Sequence, residues 1–195
     1  SRRQRQMCIR DRLGEKERER QADYLESSHS AWVNDKVRAR FNAQLYAPEE
    51  MCSYKDTADF FWVTDHGTRG RIDMVVYSFP YVSGRTFTLD YLVAMRDSVL
   101  GEHIQGAFPG SYMTTEKRFT PSYEAISKNG EYCGVVRGLW EMEGDMMGGP
   151  FVSHAHLDEK NQRVVVTETF VYAPNTKKAK LLRRGEASLY TFCMD

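Results

Sequence analysis

Apolar residues return at helical spacing along residues 15–41, where Leu25, Trp32, Val33, Val37 and Phe41 form a stripe among Glu, Arg, Lys and Ala. This pattern predicts one long amphipathic helix, ended before Pro48. A short extended piece follows near 44–47. The period then shortens. "DFFWVTD" (59–65) and "RIDMVVYSFPY" (71–81) are apolar, β-branched and aromatic runs joined by His66-Gly67-Thr68-Arg69-Gly70, which predicts a hairpin. Residues 86–104 revert to helical spacing, with Leu89, Leu92, Val93, Arg96 and Leu100 on one stripe and Thr88 as N-cap. Residues 105–116 read as a loop.

The remainder predicts a β-meander. Strands at 122–128 and 131–142 flank Asn129-Gly130, a dipeptide suited to the positive φ angles of a type I′ turn. After the Gly-rich connection 143–150, strands at 151–158 and 162–173 flank Glu159-Lys160-Asn161. A final helix is predicted over 175–192. The order α-β-β-α-β-β-β-β-α predicts an α+β fold: a mainly antiparallel sheet, a meander at its C-terminal end, with helices packed on one face.

The 195 residues suit a single domain, and the charge balance is zero overall but uneven along the chain. "SRRQRQMCIRDR" carries five arginines and one aspartate, leaving 22 basic against 26 acidic residues in the rest. A mildly acidic body lacks the clustered basic face that nucleic acid requires. The leader resembles a translated sequencing-adapter peptide, so residues 1–14 are expected to be non-native or disordered, with one domain spanning 15–195. Cys8, Cys52, Cys133 and Cys193 are scattered without a C-x-x-C pair and read best as small buried hydrophobes.

The stretch "SHAHLDE" raises a chemical question. His154, His156 and Asp158 follow the spacing that opens the zinc motif of metallo-β-lactamases, but the final His of that motif is replaced by Glu159. On a straight strand His154 and Asp158 lie about 13 Å apart, too far to share a zinc with bonds of ~2.0–2.2 Å. A three-residue turn at 159–161 would set Asp158 opposite Gln162, His156 opposite Val164 and His154 opposite Val166, with Glu168 diagonal to His154. The expectation is two partly exposed histidines, paired at most with Glu168, and no metal. The alternative is a metal-dependent hydrolase using His154, His156 and Glu168. Glu141 and Glu143, on one strand face with Arg137, are a weaker candidate acid/base pair. No catalytic residue or cofactor is assigned.

Several stretches, chiefly "RGLWEMEGDMMGGPFVSHAHLDEKNQRVVV" with "RERQADYLESSHSAWVNDKVRARFN" and "FVYAPNTKKAKLLRRGEASLYT", resemble the C-terminal half of domain of unknown function 4837. That is an uncharacterised family of Bacteroidetes cell-envelope lipoproteins. The resemblance implies a lipidated N-terminal Cys and a further α/β half, both absent from this fragment. It brings no known activity, and His156 departs from its pattern. The expected function is a non-catalytic cell-envelope module with a binding or structural role, reaching the membrane only through that lipid anchor. Its expected partners are the missing N-terminal half, and an envelope partner or small ligand.

Overall fold

The computed structural model describes residues 2–128 and 130–195, with side chains from residue 14 onward. Helix α1 (Arg2–Ser27) is followed by α2 (Ala31–Phe41). The single helix expected over 15–41 is therefore broken at 28–30. Ser30 leaves the helical region, and its hydroxyl accepts from Val33 N at 3.3 Å, starting a new helix as an N-cap. The foreign-leader reading falls on residues whose side chains lie outside those described.

Eight strands form one antiparallel sheet in the order β2 (Cys52–Asp56), β3 (Phe60–Thr64), β4 (Arg71–Pro80), β9 (Arg163–Tyr172), β8 (Gly148–Asp158), β7 (Glu131–Glu143) and β5 (Tyr112–Thr115). The eighth, β6 (Ser122–Lys128), pairs with the first half of β7, and β5 pairs with its second half. Lys128 lies opposite Glu131, and Gly130 has φ 83°, as the expected two-residue turn requires. A small second sheet joins β1 (Ala43–Gln44) to β10 (Cys193–Met194). The α+β class and the antiparallel meander stand as read. The edge strands β2 and β5 were not foreseen.

Helices cover both faces of the sheet rather than one. On β9, Val165 packs with Val33, Val37 and Phe41 of α2 and Leu189 of α4 (Ala179–Tyr190). Its neighbours Val164 and Val166 point the other way, toward Leu92 and Leu100 of α3 (Leu89–His103). Strands with both faces covered lose the apolar/polar alternation that would reveal a single covering layer. Helix α4 comes close because Gly185 faces the sheet: a Cβ there would stand 2.1 Å from Thr169 Oγ1.

Candidate functional site

The β8–β9 hairpin decides which side chains share a face. Asp158 pairs with Arg163, so its loop holds four residues, 159–162, with Gln162 at φ 51°. The Asp158 carboxylate sets this length by accepting from Asn161 N at 3.1 Å, Asn161 Nδ2 at 2.8 Å and Arg163 Nε at 2.8 Å. One extra loop residue shifts the register by one, and a one-residue shift inverts every face. His156 consequently opposes Val165 and His154 opposes Thr167, while Glu168 opposes Ser153 on the other side of the sheet. The expected partial exposure is wrong as well, because His154 is 0% and His156 3% exposed beneath the C-terminal end of α4.

What joins the histidines is a thiol. Cys133 on β7 lies directly across from His156, with Sγ 3.8 Å from Nε2. Candidate ligand atoms of Cys133, His154 and His156 all lie within 4.8 Å of one another. Tyr190 meets His154 edge-on at 5.0 Å between centroids, and Phe192 covers His156 at 4.6 Å. Both ring nitrogens of His154 are buried without a hydrogen-bond partner. Burial drives the His154 pKa well below the usual imidazole value, and His156, Lys128, Arg137 and Arg18 add repulsion. Burial and Lys128 hold His156 at about 3. The Cys133 thiol is pushed up to about 12 by burial, against the pull of Lys128. The trio thus rests as two neutral imidazoles and a protonated thiol. It can donate to a soft metal ion but offers no open approach to a substrate.

Glu168 has a different role. With 0% exposure it binds Arg96, itself 2% exposed. Arg96 Nε donates to both carboxylate oxygens at 3.1 and 2.9 Å, and Nη2 donates to Oε1 at 2.7 Å. Arg96 Nη1 donates to Thr115 Oγ1 at 3.0 Å, and the guanidinium lies 3.8 Å from the Phe151 ring centroid. Burial raises the Glu168 carboxyl, while Arg96's charge and hydrogen bonds act in the opposite direction. The runner-up metal set therefore divides across the sheet, with Cys133 in the place expected for Glu168.

The second candidate pair, Glu141 and Glu143, stays on one face of β7, but Arg137 does not join it. Arg137 donates to buried Glu186 of α4. Glu141 instead meets Glu116, whose carboxylate is held at about 2 by hydrogen bonds from Arg118, while burial and Glu116 raise Glu141. These acids border an open groove of 530 Å³ at one end of the sheet. Phe119, Leu139 and Met146 line it and are 61%, 37% and 101% exposed. The Gly-rich stretch builds the groove's wall. Gly144 turns at φ 79°, and a Cβ at Gly149 would lie 2.0 Å from Val171 O.

No curated protein matches the chain. The cyanobacterial PsbP protein (CyanoP) of Synechocystis sp. PCC 6803 shares the fold at 9% identity, with a TM-score of 0.54 over 79% of this chain and 87% of that one. The Ran-binding protein Mog1p of Saccharomyces cerevisiae is similar at 10% identity and a TM-score of 0.43, over 78% of this chain and 90% of that one. The profile of a family described as domain of unknown function (DUF4837) matches residues 30–191, spanning α2, the whole main sheet and α4. The chain belongs to that family.

Proposed function

We propose that this chain is a non-catalytic module of the cell envelope that binds a partner through the groove beside Phe119, Leu139 and Met146. The carrying observation is a segregation of chemistry. Arg96, Glu168, His154 and His156 are enclosed in the core, whereas large apolar side chains stand exposed around a loop-built groove. Loops held on a rigid sheet are common binding surfaces, and exposed methionine adapts to varied contours. The partner proposed is the N-terminal half implied by the family resemblance, or another envelope protein. Attachment to the membrane would run through the lipid anchor of the full-length lipoprotein. Among the described helices none is long and apolar enough to cross a membrane. The hydrolase reading is disfavoured because its third ligand, Glu168, lies on the opposite face and the histidines are enclosed.

Calorimetric titration of a separately produced N-terminal half into this module tests the reading. Saturable binding should weaken at least about tenfold, or ~1.4 kcal/mol, in Phe119→Asp/Met146→Asp. Absence of binding, or binding indifferent to that double change, would remove the groove from the proposal. Zinc-dependent hydrolytic turnover lost in His154→Ala would remove the non-catalytic assignment.

A further inference from the structure

We propose that Cys133, His154 and His156 form a closed, three-coordinate site for a monovalent copper ion. Spacing is the first support. Bonds of ~2.3 Å to sulfur and ~2.0–2.1 Å to nitrogen, opened to about 120°, place the two donors about 3.8 Å apart. Cys133 Sγ and His156 Nε2 are 3.8 Å apart. His154, two residues along the same strand face, brings a third donor within 4.8 Å of the other two, so its side chain must adjust on loading to reach the roughly 3.5–3.8 Å that shared bonds require.

The second support is independent of spacing. A fully buried imidazole with both nitrogens unpartnered is rare, because each lost hydrogen bond carries a desolvation cost. His154 is such a residue. A metal bond to one nitrogen removes part of that cost.

Charge and ligand type select the ion. A thiolate with two imidazoles suits soft cations, copper(I) and zinc among them. Copper(I) and one thiolate sum to zero, which an apolar interior accepts. Zinc would leave a positive charge near Lys128 and Arg137, whose charges already act on His154. Zinc also takes a fourth ligand as a rule, and no further His, Cys, Asp or Glu joins the cluster among the described residues. On binding, the Cys133 thiol releases its proton to solvent, sulfur–copper and nitrogen–copper bonds form, and copper remains in the +1 state. Because the cluster is enclosed, loading accompanies folding, as with other buried metal sites.

The test uses the full chain with Cys8→Ser and Cys52→Ser, so that these two thiols, of which Cys52 is exposed, do not compete. Anaerobic refolding with copper(I), followed by desalting, should leave one copper per folded chain. X-ray absorption should report one sulfur and two nitrogen neighbours. Competition with a copper(I) chelator should show affinity at least about tenfold lower in Cys133→Ser and in His154→Phe, the latter keeping the core filled. Three results would overturn the site: a folded parent that retains no copper, a first shell without sulfur, or zinc displacing copper from it. The absorption measurement needs only the parent protein, so misfolded variants would leave the outcome decidable. Loss of this site leaves the groove reading intact, since its assay involves neither metal nor these residues.

Discussion

Replacing Arg96 by Met should be among the most damaging single changes in this protein. The substitution keeps most of the side-chain volume but removes three hydrogen bonds to Glu168 and one to Thr115, all inside the core. Glu168 cannot recover water where it lies, at 0% exposure. Breaking a buried pair in this way costs about 3–5 kcal/mol, because the surviving charge is uncompensated. The cost should depend on pH. Burial already raises the Glu168 carboxyl, and loss of Arg96 removes the chief opposing influence. The folded pKa then stands above the unfolded value of about 4.3, so stability is greatest below that value and is lost as pH rises toward the folded pKa. Within this window each pH unit removes up to about 1.4 kcal/mol. Urea denaturation followed by tryptophan fluorescence at pH about 5 and about 8 reads both effects from the midpoints. Arg96→Met/Glu168→Gln should be milder than Arg96→Met alone at the higher pH, since no charge is stranded. A single-mutant cost below about 1 kcal/mol, or a cost that grows toward low pH, would refute the reasoning.

Other outcomes follow from the same interior. Lys128 donates to the carbonyls of Leu189 and Phe192, and burial lowers its pKa from 10.5 to about 8. Between those values the unfolded chain binds more protons, so stability should rise with pH from about 8 to 10.5, and Lys128→Met should flatten that slope in pH-resolved denaturation. Ser30→Ala should cost about 0.5–2 kcal/mol in urea denaturation by removing the N-cap of α2. Gly185→Leu should lower the melting temperature, because its side chain must displace Thr169, whose hydroxyl is bonded to Asp73 O at 3.1 Å. A variant that melts with the parent would show that α4 can move away freely.

Local chemistry made much of the fold legible. The Asn129-Gly130 dipeptide and the glycines of 66–70 fix hairpins within a few residues, and the strands flanking both pair where the pattern places them. The strands β2 and β5 escaped because edge strands mix polar and exposed side chains, as the burial of Cys52–Asp56 illustrates. The site failed for a subtler reason. Its composition was visible in His154 and His156, but its membership depends on the parity of one loop. Asp158 sequesters the turn backbone and adds a residue to it, sending Glu168 to Arg96 and the histidines to α4. Cys133 could be placed only by knowing the β7–β8 register across the Gly-rich connection, which begins its second strand at Gly148 rather than 151.

The central pairing of the sheet bears on how quickly the chain can assemble. Strands β2 to β4 arise from nearby residues, as do β5 to β9, and the two groups meet along β4–β9, where residues 71–80 pair with 163–172. Closing so distant a contact carries an entropic cost that grows as about (3/2)RT ln n with the intervening length. Topologies dominated by such pairings reach the native state in roughly milliseconds to seconds. Each half can gather its hairpins first, yet neither buries Val165 or Val76 fully until the seam forms. The seam is therefore expected to set folding speed: in stopped-flow refolding, mutations there should slow the rate more than those in the outer hairpins.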